Sequence, residues 1–200
     1  MKITAAVAMA VAAGFVGQAQ AGENERTVVV YIANEHVAIQ AALFAKAQAS
    51  RMFGRIGVRV EWRSLGHATP PTDALVVDMV EQSSNSECAG ALACAKPYEG
   101  IHIRVFYDRF ARVVPQSMVP ALLGHVLVHE ITHILQGINR HSDSGVMKAR
   151  WDAHDYAQMT CRTLPFTPND VALIERGLDG RESRLASAAV VRGSDEAKEL

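Results

Sequence analysis

The sequence predicts an α/β fold: a twisted, mostly parallel sheet with helices packed on it. Three observations carry this. Short β-branched runs of strand length recur through the first half of the chain. A longer segment with helical spacing of apolar residues separates the first two of them. A second long apolar helix then follows the last run, and strand–helix alternation of this kind buries a parallel sheet under helices.

The chain has 200 residues, which suits one domain with a real hydrophobic core. A formal charge of −1 without a dense basic run argues against nucleic-acid binding. Residues 1–21 have the layout of a cleavable secretory signal. Lys2 gives a positive start, "ITAAVAMAVAAGFVG" is a short apolar run, and "AQA" puts small residues before Gly22. The mature protein is therefore expected to begin near Gly22 and to work in a periplasm or outside the cell. No later segment is expected to span a membrane, and a monomer is expected.

Taken in order, "TVVVYIA" (27–33) is a strand, and Asn34 is placed to cap the helix after it. Val37, Ala41, Phe44 and Met52 fall on one face of that helix, Gln48 interrupts the stripe, and Gly54 is the expected stop. "GVRVEW" (57–62) and "ALVVDMV" (74–80) are strands, separated by the turn-rich "HATPPTD". A polar loop (81–90) leads to "ALACA" (91–95), a candidate short strand, and then to the alternating "GIHIRVFYD" (100–108). The next helix has Ser117 as its expected cap, Pro120 in its first turns and Gly137 at its end. Leu123, Val126, Leu127, Ile134 and Leu135 form its apolar stripe. "WDAHDYAQM" is expected to be helical. Thr167 is expected to cap a short helix with Pro168 at its first position and Gly177 at its stop, and the polar segment 178–200 to be disordered. The expected domain is thus 22–177.

Of Cys88, Cys94 and Cys161, two are expected to pair in an oxidising compartment. Cys88 and Cys94 are near enough for a short loop, but spacing alone does not choose the pair.

The chemistry is concentrated in "GHVLVHEITHILQGINRH" (124–141). His129 and His133 stand four apart on a helix, so their rings project from one face a turn apart, as two ligands of a tetrahedral Zn2+ ion require. Glu130 lies about 100° round the helix, where a carboxylate can hold a metal-activated water and act as general base. Two histidines and a glutamate on a buried face are costly without a metal or dense hydrogen bonding. His125, one turn earlier, is better read as a packed histidine. Gly137 can turn the chain back so that His141 approaches the metal, which makes His141 the expected third ligand. Asp143, the His154–Asp155 pair and Glu175 stay open as alternatives.

Here the sequence resembles the metzincin branch of the zincin metallopeptidases, whose extended H-E-x-x-H-x-x-G-x-x-H motif is followed by a Met-containing turn. "HEITHILQGINRHSDSGVMKARW" and the later "FTPNDVALI" resemble small secreted bacterial zincin-like proteins. The resemblance implies an α+β zincin fold, a peptide or protein substrate, Met147 in the turn beneath the zinc, and "ALACA" as an edge strand to which a peptide adds antiparallel. Tyr156 is a candidate for stabilising the oxyanion. The chain departs from the pattern in one respect. Gly137 comes four residues after His133 and His141 eight, so Gln136 and Asn139 occupy the usual positions of the glycine and the third histidine. The expected function is zinc-dependent peptide hydrolysis, and the alternative is a zincin-like binding domain in which zinc is only structural.

Overall fold

The computed structural model describes residues 26–34, 38–67, 69–71, 74–84, 88–96 and 101–196. The expected signal segment, Gly22 and Val37 lie outside them.

The elements follow in the order β1 (Arg26–Ala33), α1 (Ile39–Gly54), β2 (Val58–Ser64), β3 (Leu75–Val80), β4 (Ala93–Ala95), β5 (His102–Phe106), α2 (Val119–Gln136), α3 (Ala153–Cys161) and α4 (Pro168–Glu196). One five-stranded sheet has the order β2-β1-β3-β5-β4. Its first three pairings are parallel, and β4 is an antiparallel edge strand on β5. This is the mixed α/β architecture expected, with a mainly parallel sheet.

The central strands are β-branched because they are covered. Val30, Ile32, Val77, Ile103 and Val105 are almost fully buried. Helices α1 and α2 pack side by side, and alanines set their close approach: Ala41, Ala45 and Ala49 are buried with Met52 and Phe53. Gly124 completes the fit, since a Cβ there would stand 2.9 Å from the Gln48 amide nitrogen. Leu123, Leu127 and Ile131 fill the core from α2, and truncating any one to Ala would cost about 2–5 kcal/mol.

Several expected boundaries differ. Asn34 does not cap α1. It has φ 55° and donates to Asp78 Oδ1 across the sheet, and Ala38 precedes the helix without a side-chain cap. Phe44 is 72% exposed, because the buried stripe runs through Ala41, Ala45, Ala49 and Met52 and leaves Phe44 on the outer side. Gly54 is the last helical residue, but Arg55 continues in right-handed geometry and the positive φ falls at Gly57. Ser117 makes no cap either; it sits in a 3-10 turn, Gln116–Met118, that leads into α2.

Gly177 is not a helix stop, and residues 178–196 continue α4 where composition suggested disorder. The reason lies in contacts that composition does not show. Ile174 and Leu178 are buried, and the Arg26 guanidinium donates to the Glu175 carbonyl and pairs with Asp179 and Glu182. Gly177 lets α4 lie against the end of α2, for a Cβ there would sit 1.7 Å from the Leu135 carbonyl oxygen.

By length and composition Gln116–Gln136 could cross a membrane, but 78% of its apolar window is buried inside the fold. Cys88 and Cys94 form the disulfide, and Cys161 is free and exposed.

Candidate metal centre

The site grows from the C-terminal half of α2. Pro120 stands in the helix's first turn, and Gly137, at φ 68°, closes it in left-handed geometry with its N–H on the His133 carbonyl. His129 and His133 therefore share a face, with ring centroids 4.8 Å apart. The reversed chain then brings His141 to 5.3 Å from the His129 ring and 4.9 Å from the His133 ring. One ligand atom from each of the three lies within 4.8 Å of the others, a group that could hold a metal ion.

The hydrogen bonds decide which nitrogens are available. His129 Nδ1 faces the Val146 carbonyl at 2.8 Å, and His133 Nδ1 faces the Ile138 carbonyl at 3.2 Å. A carbonyl only accepts, so each Nδ1 carries the proton and each Nε2 is bare. The two bare Nε2 atoms stand 3.1 Å apart. Lone pairs facing at that distance repel unless a cation lies between them, so the donor set fits a divalent ion well. Burial, first of all, lowers both imidazoles to about 4 and keeps them neutral, the form a metal needs. His141 is more exposed, and its partial burial also lowers its pKa.

The loop that presents His141 is tied down along its length. Ser142 N–H donates to the Met147 carbonyl and Val146 N–H to the Pro165 carbonyl. Gly145 has φ 76°, and a Cβ on it would meet the Pro165 oxygen at 2.3 Å. Met147 is fully buried, and its neighbour Val146 supplies the carbonyl that orients His129.

Glu130 points to the other side of the cleft. Its Oε2 accepts the Ala95 N–H at 2.7 Å. Burial raises its pKa to about 7, against the opposing pull of that amide, which suits a base working near neutrality. On β4, Leu92 and Lys96 make the backbone bonds to β5, so Ala93 and Ala95 turn their N–H and C=O groups toward the cleft. The cleft encloses about 660 Å³ between β4 and the loop through Lys148, Arg150 and Trp151, and Tyr156 also lines it. Trp151 sets its ring edge-on to His129 at 5.5 Å.

The remaining candidates lie elsewhere. His125 is fully buried, its Nε2 accepting the Leu164 N–H and its Nδ1 facing the Ala121 carbonyl. Asp155 is committed to the cap of α3 and to Lys148. His154, Asp143 and Glu175 are exposed. Among the described residues only His129, His133 and His141 form such a group.

Sequence reasoning missed Arg109. It is buried, stacks over Phe106 at 4.0 Å, and donates to Ser83 Oγ and to the carbonyls of Ser84, Cys88 and Ala91. It thereby holds the loop that carries β4, and no local pattern around it announces this.

No protein-family model matches the chain, and no curated protein matches it. Among solved structures it is similar to crystalline archaemetzincin from Methanopyrus kandleri, with a TM-score of 0.53 and 12% identity, over 78% of this chain and 96% of that one. The likeness is one of fold.

Proposed function

We propose that this chain is a secreted zinc-dependent metallopeptidase with His129, His133 and His141 as metal ligands and Glu130 as general base. The observation that carries this is the pair of bare, facing Nε2 atoms with a third imidazole beside them and a carboxylate at the next helical position. The zincin-like fold supports it. A zinc ion bound there supplies Lewis acidity to a peptide carbonyl and to water. The chain's own residues do the rest. Glu130 takes the proton of the attacking water and returns it to the leaving amine. The Ala93 N–H and the Ala93 and Ala95 carbonyls face outward, where an extended peptide pairs antiparallel, while the Ala95 N–H is held by Glu130. Tyr156 also lines the cleft and is the candidate donor to an oxyanion.

The substrate is then a peptide or protein. Export with cleavage near Gly22 belongs to the same reading, supported by the apolar run and small residues of 1–21 and consistent with the Cys88–Cys94 disulfide. The mature protein is proposed to be a monomer with no stable membrane association and no nucleic-acid partner.

A second reading, a zincin-like peptide-binding domain with structural zinc, is favoured by the Ala95–Glu130 bond, which gives the carboxylate a use apart from catalysis. Zinc analysis of the mature protein, with a peptide-library cleavage assay with and without chelator, separates the two. Stoichiometric zinc and chelator-sensitive cleavage support the peptidase; stoichiometric zinc with no cleavage supports the binding domain.

A further inference from the structure

His129 and His133 are placed by a helix and oriented by carbonyls, but the His141 ring has no hydrogen-bond partner among the described residues. Its position must come from its backbone. Both residues that flank it, Arg140 and Ser142, reach one side chain in α4. Asp170 Oδ1 accepts the Ser142 hydroxyl at 2.6 Å and lies 3.4 Å from an Arg140 guanidinium nitrogen. Its Oδ2 accepts the Thr167 N–H at 2.9 Å and the Thr167 hydroxyl at 2.7 Å. Its backbone carbonyl takes the Gln136 amide from the last turn of α2 at 3.3 Å.

Asp170 is fully buried, and a carboxylate is tolerated there only because both oxygens are engaged. A helix cap needs no such burial, since Thr167 accepts the Asp170 N–H by itself. What the buried charge adds is a single anchor joining the end of the HExxH helix, both neighbours of His141 and the start of α4. We propose that Asp170, acting through Ser142 and Arg140, is a positioning residue that sets His141 for the metal. This rests on the zinc reading above and assigns α4 a part in the site.

The test measures zinc affinity of the folded mature protein by competition with a chromogenic chelator, and the visible spectrum of the cobalt-substituted form, which reports ligand geometry. Asp170→Asn and Ser142→Ala should each weaken zinc about 10- to 100-fold and alter the cobalt bands, with effects in the double variant that do not add. Ile32→Val, a core truncation in β1 outside this network, should lower the melting temperature and leave zinc affinity and the cobalt spectrum as in the parent. If Asp170→Asn does not fold, Ser142→Ala, which leaves the α4 cap intact, carries the test alone. Parent-like zinc affinity and cobalt spectrum in Ser142→Ala, beside a large loss in His141→Ala, would overturn the positioning role and leave the zinc site standing. Parent-like affinity in His141→Ala would instead overturn the ligand assignment, and this inference with it.

Discussion

The Ala95 N–H on the edge strand donates to Glu130 Oε2 on the HExxH helix at 2.7 Å. The bond joins the strand that would receive a peptide to the carboxylate that would activate water. Both residues line the cleft, so a displacement of β4 also shifts Glu130. In the proposed peptidase this bond would couple substrate placement to the base, and the first two predictions follow from it.

Replacing Glu130 with Gln keeps an oxygen to accept the Ala95 N–H but removes the base. Zinc content should be unchanged, while peptide hydrolysis falls by about two orders of magnitude or more. Zinc quantification beside a kcat measurement checks this, and parent-like hydrolysis would exclude Glu130 as the base.

The Cys88–Cys94 disulfide closes a short loop against the same strand, with a sequence separation of 6. A loop of that size stabilises by about 2 kcal/mol through chain entropy. Arg109 independently holds the Cys88 and Ala91 carbonyls. Changing both cysteines to Ser should therefore lower stability by no more than about 2 kcal/mol. Because β4 loses a restraint at the cleft, KM should rise more than kcat falls. Steady-state kinetics on a cleaved library peptide decides this, and an unchanged KM would show that the disulfide does not hold the substrate strand.

His125 gives a pH dependence that does not involve the metal ligands directly. Its Nε2 accepts the Leu164 N–H, so the ring is neutral with its proton on Nδ1, toward the Ala121 carbonyl. Burial lowers its pKa below the ordinary imidazole value of 6.5. The stabilisation from the neutral ring is thus complete above that value and is lost as pH falls from it toward the folded-state pKa. Metal-free parent protein should lose stability on going from about pH 7 to pH 5, and His125→Gln should lose less over the same range. Urea unfolding of both proteins across that range provides the comparison, and identical slopes would reject the assignment.

Much of the fold was legible because its causes are local. β1, β2, β3 and β5 are runs of branched residues, and α2 is bracketed by Pro120 and Gly137. The i, i+4 spacing of His129 and His133 makes a shared face unavoidable. Features set by tertiary contact were not legible. Asn34 looks like a cap but serves a cross-sheet bond to Asp78, and the α1 stripe follows its alanines rather than Phe44. The approach of His141 was legible in the turn at Gly137, but its anchoring by the turn at Gly145 and by a carboxylate 29 positions later, Asp170, was not. No spacing rule contains that.

Gly177 illustrates the same limit and can be tested. In sequence it resembles a helix stop, yet it lies within α4 where the helix touches the Leu135 carbonyl. The obstacle is backbone, which cannot rotate away as a side chain could. Gly177→Ala should destabilise the protein by about 3 kcal/mol, the upper part of the overpacking range. A melting temperature equal to the parent's would show that α4 does not dock there.

The third metal ligand is the last point on which chemistry and spacing can be separated by experiment. His141 stands two residues beyond the position its resemblance pattern favours, but its ring is 4.9 Å from that of His133 and 5.3 Å from that of His129. Asp155 is buried against Lys148 and the Asp152 N–H, and Glu175 lies exposed on α4. An imidazole is a good zinc ligand, and losing one of three protein ligands removes much of the binding free energy. His141→Ala should therefore lose zinc on dialysis and all peptide hydrolysis, whereas Asp155→Ala and Glu175→Ala should retain near-stoichiometric zinc. Metal analysis after dialysis against a weak chelator distinguishes them. Zinc lost from the Asp155 or Glu175 variant but kept by His141→Ala would move the third ligand to that carboxylate and leave His129 and His133 as the fixed part of the centre.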